Sequence, residues 1–159
     1  MFKQIAVLTV GIMIVLGLNA IATAIDNPEV YEKPLTEPVP VAQLEINDHI
    51  DKMAKWYGLN PDIVKAIIEE ESGWLASAEG DNGQSVGLMQ IQERWHKERM
   101  KRLGITSLYD PEQNITVGCD ILSELLSKYG NYEDALSAYN SGNIYDGQQY
   151  AERVLNAAK

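Results

Sequence analysis

The sequence is poor in cysteine, histidine and basic residues. One cysteine excludes an internal disulfide framework. The two histidines, His49 and His96, lie in separate helical patterns, so no metal-binding cluster stands out and we expect neither a metal nor a cofactor. Lys and Arg number 13 against 23 Asp and Glu, which gives a formal net charge of −10. A surface this acidic repels phosphates, so we expect no nucleic-acid partner.

Segments that alternate apolar and polar residues over a useful length are also missing, and no internal repeat is visible. Instead, helical stripes of apolar residues begin near residue 41. Asn60-Pro61 and Asp110-Pro111 each combine a capping side chain with a proline suited to a first helical turn. Cys119 falls within an apolar stripe, which predicts a buried apolar residue rather than a reactive thiol. The sequence therefore predicts an all-α fold.

The first 41 residues differ in composition from the rest. Residues 5–25 carry no charge, and Ala22-Thr23-Ala24 fits a small-x-small cleavage site. Residues 1–25 are thus interpreted as a signal peptide or, if uncleaved, a membrane anchor. Residues 26–41 hold four of the six prolines, which predicts an extended linker. The domain is expected to span residues 42–159 and to lie outside the cytoplasmic membrane.

Three consecutive glutamates end the second predicted helix, and they differ in their position on its surface. Glu69 falls on the wet side beside Lys65, where an i,i+4 ion pair is natural, and Glu70 falls at an edge. Glu71 falls in the middle of the apolar face. Burial and neighbouring acids raise the pKa of such a carboxyl, as a general acid requires. The alternative is that Glu71 bends out to solvent or pairs with a distant arginine.

Polar side chains at other helix ends suit a sugar ligand. Gln90 lies among apolar neighbours after a glycine-rich loop, and Tyr139 and Asn140 end another apolar stripe. Phenol and amide groups match the hydroxyl and N-acetyl groups of an amino sugar. Each also has a structural interpretation: Tyr139 as core, Asn140 as a helix cap and Met89 as packing.

Together these motifs resemble the soluble lytic transglycosylase family, which shares its lysozyme-like, all-α fold with goose-type lysozyme. The resemblance covers about residues 45–155. It is carried by five ordered motifs: Glu71-Ser72 ("ES"), Gly87-Leu88-Met89-Gln90 ("GLMQ"), Asp110-Pro111 with Asn114 ("DP..N"), Ala138-Tyr139-Asn140-Ser141-Gly142 ("AYNAG") and Tyr150 with Val154 ("Y...V").

The resemblance implies cleavage of the β-1,4 bond between N-acetylmuramic acid and N-acetylglucosamine in peptidoglycan. Glu71 would first protonate the glycosidic oxygen and then, as a carboxylate, deprotonate the muramic C6 hydroxyl, which closes a 1,6-anhydro ring without consuming water. The residues that the resemblance assigns to substrate binding are Ser72, Gly87, Met89, Gln90, Tyr139, Asn140 and Tyr150.

The chain departs from the family pattern in two places. A serine that often follows the glutamate by about nine residues is replaced by the region around Gly80-Asp81, with Ser85 as a candidate substitute. The family's "ETR" is "GQQ" at residues 147–149. Asp81 or Asp110 could serve as a second carboxylate, so a hydrolytic muramidase is an alternative. A non-catalytic peptidoglycan-binding or assembly module is another.

The expected partners are peptidoglycan glycan strands. A small exported transglycosylase also suits a cell-envelope secretion or conjugation apparatus, and equally a phage-derived or general wall-remodelling role. We expect a monomer in the periplasm or at the cell wall. It would contact the membrane only through residues 5–25, if these are not removed.

Overall fold

Six α-helices and one short β-hairpin make up residues 41–159, the part of the chain that the computed structural model describes. The predicted signal or anchor and residues 26–40 of the predicted linker lie outside the described residues. The elements, in chain order, are α1 (Val41–Tyr57), α2 (Pro61–Ser72), β1 (Glu79–Gly80), β2 (Ser85–Val86), α3 (Glu93–Leu103), α4 (Pro111–Tyr129), α5 (Tyr132–Ser141) and α6 (Gln148–Ala157). The all-α prediction is confirmed, with the hairpin as an addition to it.

Local sequence signals set the helix boundaries. The Asn60 side chain accepts a hydrogen bond from the backbone N–H of Asp62 at 2.9 Å, and Asp110 accepts one from Gln113 at 2.9 Å. Both capping residues precede a proline in the first turn. At the other end of α4, Gly130 adopts a left-handed conformation with φ of 78° and ends the helix. The predicted starts at Asn60-Pro61 and Asp110-Pro111 are therefore confirmed.

The hairpin was not predicted. Its strands pair antiparallel, with Glu79 opposite Val86, and each has only two residues. Two residues are too few to show the alternation by which strands are recognised. The turn between them places Asp81 and Asn82 at φ of 50° and 57°, in the left-handed region that aspartate and asparagine tolerate better than most side chains.

One apolar core joins the helices. Helix α4 packs against α1 and α5, while α6 packs against α5 and α2. Cys119 is 0% exposed, and burial raises the pKa of its thiol to about 12, so its interpretation as a buried apolar residue is confirmed. Within residues 41–159, no helix is both long and apolar enough to cross a bilayer.

Candidate active site

Glu71 lies at the end of α2, where the buried face of that helix opens into a cavity. Ile67 and Ile68, one turn earlier, are 0% exposed, so the helical period turns Glu71 toward the same side. Its side chain is half-buried and lines a cavity of about 810 Å³. Helix α2 thus places a carboxyl at the boundary between the core and a ligand-sized space.

The pKa of the Glu71 carboxyl is raised, chiefly by burial, and the nearby charges of Glu70 and Asp81 raise it further. One interaction opposes them: Tyr150 donates its hydroxyl to Glu71 Oε1 at 2.7 Å, which stabilises the carboxylate. The pKa of Tyr150 is itself raised by its own burial and by Glu71, so the phenol stays a donor. Burial and the Tyr150 hydroxyl thus act on the pKa of Glu71 in opposite directions, and burial has the larger effect.

The two neighbouring glutamates are in different surroundings. Glu70 is exposed and accepts a hydrogen bond from Arg153 Nε at 2.6 Å. Glu69 is exposed, as predicted, but its predicted partner Lys65 forms an ion pair with Asp51 at 3.1 Å instead. Asp51 lies on α1, which packs against α2, so tertiary packing offers the ammonium a nearer acid than the local spacing does.

A buried asparagine holds the loop that forms one wall. Asn114 is 0% exposed and uses its whole amide: Oδ1 accepts from Met89 N at 2.8 Å, and Nδ2 donates to the carbonyls of Val86 and Leu108 at 2.9 and 2.8 Å. Gly87 has φ of 80°, and a Cβ there would lie 2.2 Å from Asn114 Nδ2. Only glycine lets the loop approach the amide this closely.

Four of the predicted binding residues lie behind the cavity wall rather than on it. Gly87 and Met89 are buried, and Met89 packs against Gly118 on α4. Ser72 donates to the carbonyls of Ile68 at 3.0 Å and Leu88 at 2.9 Å, which ties α2 to the loop. Tyr150, 4% exposed, reaches the site through its hydrogen bond to Glu71. These residues therefore hold the cavity wall and Glu71 in place from behind.

The other predicted residues line the cavity together with Glu71: Gln90, Tyr139 and Asn140. Gln90 has φ of 48°, an uncommon backbone conformation for a non-glycine residue, and its amide donates to the Gly87 carbonyl at 3.0 Å. Tyr139 donates its hydroxyl to the Met89 carbonyl at 3.0 Å, so it fixes the wall from the side of α5. Asn140 is exposed at the rim.

A second carboxylate lies in the same cavity. Asp81 Oδ2 accepts hydrogen bonds from Ser85 Oγ at 2.6 Å and Gln92 Nε2 at 2.9 Å, and Asp81 and Ser85 both line the cavity. Asp110, the other candidate second carboxylate, instead caps α4 and is not among the residues lining the cavity. Of the two, the structure brings only Asp81 to Glu71.

Sequence reasoning missed several residues of the site. The loop-holding role of Asn114 was signalled by a polar side chain beside an apolar stripe, but the motif alone did not reveal its partners. Trp95, His96, Arg99 and Lys128 also line the cavity, and burial lowers the pKa of His96.

Within the described part of the chain, no group of three or more His, Cys, Asp or Glu side chains could hold a metal ion.

Comparison with known proteins gives a consistent family. The model of the transglycosylase SLT domain matches residues 48–154. The chain is 35% identical over 94 residues to the invasion protein IagB of Salmonella typhimurium, a match of 55% of this chain and 58% of IagB. It is 32% identical over 114 residues to membrane-bound lytic murein transglycosylase F of Desulfosudis oleivorans, covering 66% of this chain and 24% of that protein.

Among solved structures, the chain is similar to the lytic transglycosylase Slt of Pseudomonas aeruginosa. The TM-score is 0.62 with 27% sequence identity, over 70% of this chain and 23% of that one. That structure is of a form inactivated by a single glutamate-to-glutamine substitution. The chain thus spans little more than half of IagB and about a quarter of the other two proteins.

Proposed function

The chain belongs to the transglycosylase SLT domain family, and from this premise we propose that it is a peptidoglycan lytic transglycosylase. It would cleave the β-1,4 bond between N-acetylmuramic acid and N-acetylglucosamine and leave a 1,6-anhydro end. The observation that carries the proposal is Glu71, half-buried in the cavity with a raised pKa and one phenol donor. The similar Slt of Pseudomonas aeruginosa is inactive when one glutamate becomes glutamine, which supports an indispensable glutamate here.

The proposed reaction has two proton transfers, and both pass through the carboxyl group of Glu71. Glu71, whose pKa is raised by burial and by the neighbouring acids, gives its proton to the glycosidic oxygen as the bond to C1 breaks. The resulting carboxylate is stabilised by the Tyr150 hydroxyl. It then takes the proton of the muramic C6 hydroxyl as that oxygen bonds to C1. Glu71 ends protonated, and no water enters the product.

Gln90 and Asn140 are proposed to bind the sugar through their amides, since both line the cavity. Tyr139 is proposed to hold the cavity wall in place rather than to bind the sugar, because its hydroxyl is already donated to the Met89 carbonyl. Gly87, Met89 and Ser72 would shape the site from behind. Ser85 lines the cavity and remains the candidate for the family's substrate-polarising serine, although its hydroxyl is donated to Asp81.

The test is mass spectrometry of the fragments released from purified peptidoglycan by the protein and by its Glu71→Gln form. We expect anhydro products, one water lighter than hydrolytic ones, from the parent and none from the variant. Glu70→Gln is the matched control, because Glu70 is the adjacent acid, pairs with Arg153 and is not among the residues lining the cavity. Release of anhydro products by Glu71→Gln would contradict the assignment.

A hydrolytic muramidase is the second candidate, and Asp81 is the observation that favours it. Ordinary glycosidases use two carboxylates, one kept protonated and one ionised. Asp81 shares the cavity with Glu71, and its Oδ2 accepts hydrogen bonds from Ser85 and Gln92. Reducing ends in the released fragments would establish this function instead.

We also propose that the protein is exported and acts in the cell envelope, with residues 42–159 as the catalytic domain. Peptidoglycan is the proposed partner, and one relative is named a membrane-bound lytic murein transglycosylase. Another relative is named an invasion protein, which favours a partner in an envelope secretion apparatus. Cross-linking in living cells followed by affinity purification of the full chain tests this, and recovery of no envelope-complex protein would count against it.

A further inference from the structure

Trp95 is a large apolar side chain in an unusual position. It lies in the first turn of α3, is 71% exposed and lines the same cavity as Glu71. Exposing an indole forgoes much of the hydrophobic stabilisation that its burial would give. A single exposed aromatic is common on protein surfaces, so exposure alone does not indicate a binding role. A binding role is indicated instead by the contacts that orient this ring.

Gln92 connects Trp95 to the site through both ends of its amide. Its Nε2 donates to Asp81 Oδ2 at 2.9 Å, and its Oε1 accepts the indole Nε1–H of Trp95 at 3.1 Å. Trp95 offers only a donor and the Asp81 carboxylate only acceptors, so the amide has one satisfactory orientation. The indole edge is therefore fixed relative to an acid that lines the cavity.

Arg94 fixes the ring from a second direction. Its guanidinium lies over the indole, 5.0 Å from the ring centroid, and also donates to Gln92 Oε1 through Nη2 at 2.8 Å. One face of Trp95 is thus covered by a cation and one edge is hydrogen-bonded. The opposite face is left for a ligand, and little side-chain entropy remains to be lost when it is used.

We propose that the uncovered face of Trp95 is a stacking platform for a pyranose ring of the glycan strand, next to the ring that Glu71 acts on. A pyranose presents a flat face of C–H groups, which suits an aromatic plane, and a rim of hydroxyl and N-acetyl groups. Polar side chains elsewhere in the cavity, such as Gln90 and Asn140, suit that rim. The identity of the ligand rests on the proposed function.

Because Trp95 binds substrate away from the reacting bond, its loss should weaken binding more than chemistry. We expect Trp95→Ala in the full chain to raise KM for soluble glycan fragments about tenfold, with kcat changed by less than about threefold. Trp95→Phe keeps an aromatic plane and should recover most of the loss. A kcat that falls tenfold with KM unchanged would overturn the platform.

Binding is measured separately from turnover in the Glu71→Gln background. The probe is a β-1,4-linked hexamer of N-acetylglucosamine, titrated by calorimetry. We expect Trp95→Ala to weaken its Kd about tenfold and Trp95→Phe about threefold or less. The matched control is Trp56→Ala, because Trp56 is 79% exposed, lies on α1 and is absent from the residues that line the cavity.

The outcomes separate this inference from the proposed function. An unchanged Kd for Trp95→Ala, an equal loss for Trp56→Ala, or no binding of the hexamer to any form would overturn the platform. Hexamer binding that depends on Trp95, in a protein that releases no fragments from peptidoglycan, would support the platform and refute the proposed enzyme. Unchanged circular dichroism spectra of the variants show that the fold is retained, as expected for exposed positions.

Discussion

Glu71 and Asp81 line the same cavity but come from different kinds of structure. Glu71 ends a helix whose inner face is part of the core, and within residues 41–159 its one side-chain donor is the buried Tyr150. Asp81 lies in the exposed turn of the hairpin, where Ser85 and Gln92 both donate to it. Burial raises the pKa of Glu71. The same functional group is thus half-buried beside a phenol in one region and held by two polar side chains at an exposed turn in the other.

This difference suggests a division of labour. A carboxyl that exchanges a proton needs few donors, because each donor favours the charged form. A carboxylate that organises its surroundings needs several. Asp81 connects Ser85, Gln92 and, through Gln92, the Trp95 platform, while its charge helps to raise the pKa of Glu71. We therefore interpret Asp81 as a structural and electrostatic partner of Glu71 rather than as a second reacting group.

The largest effect should follow the loss of Glu71. Glu71→Gln keeps the size of the side chain and an acceptor for Tyr150, but it removes the exchangeable proton. We expect the rate of fragment release to fall by about 10²–10⁴-fold, the usual contribution of general acid–base catalysis. Initial rates on labelled peptidoglycan measure this. Glu70→Gln should retain most of the activity, and an equal loss there would remove the distinction between the adjacent acids.

A smaller loss of activity is expected when Tyr150, the hydrogen-bond donor to Glu71, is replaced. Tyr150→Phe removes the hydrogen bond that lowers the pKa of Glu71, so that pKa should rise further. Glu71 would then stay protonated to higher pH, and the alkaline limb of the pH–rate profile should move upward. We expect about a tenfold loss in maximal rate, because the carboxylate formed in mid-reaction loses a charge-assisted bond.

The profile of Tyr145→Phe, which changes an exposed tyrosine absent from the residues that line the cavity, should match that of the parent. A downward shift of the alkaline limb in Tyr150→Phe would contradict the account.

Asp81 gives the sharpest test of the division of labour. Asp81→Asn removes the charge but keeps an acceptor for Ser85. If Glu71 acts alone, we expect the rate to fall by less than about tenfold and the products to stay anhydro. The pKa of Glu71 should also decrease, because a neighbouring negative charge is gone. A loss as large as that of Glu71→Gln would show that two carboxylates react, as in ordinary glycosidases.

The smallest effect concerns stability. The folded-state pKa of Glu71 is raised, so between the unfolded and folded pKa values the native state binds more protons. Stability therefore decreases as pH rises through that window. Glu71→Gln should stabilise the protein by about 1 kcal/mol at pH 7, within the usual range for relieving a strained functional site.

Below about pH 4, where the carboxyl is protonated in both states, that gain should disappear. Thermal unfolding at the two pH values measures it, with the exposed Glu69→Gln as control. A gain of equal size at both pH values would mean that it does not come from the ionisation of Glu71.

The sequence was sufficient for the features that depend on local chemistry. The capping residues Asn60 and Asp110 predicted the starts of two helices, and the helical period distinguished Glu71 from the two neighbouring glutamates. The sequence was not sufficient to predict contacts between segments that are distant along the chain. Lys65 pairs with Asp51 of another helix, and the hairpin is too short to show a strand period. The Gln92 network depends on a turn that brings Asp81 back beside α3, which no spacing rule indicates.

The most direct test of the single-carboxylate account is digestion of peptidoglycan in H₂¹⁸O, followed by mass spectrometry of the new sugar ends. Attack by the internal C6 hydroxyl incorporates no solvent oxygen, whereas hydrolysis places one ¹⁸O at each reducing end. We predict unlabelled anhydro ends from the parent and from Asp81→Asn, and no products from Glu71→Gln. Labelled reducing ends that depend on Asp81 would contradict the account and identify a two-carboxylate muramidase.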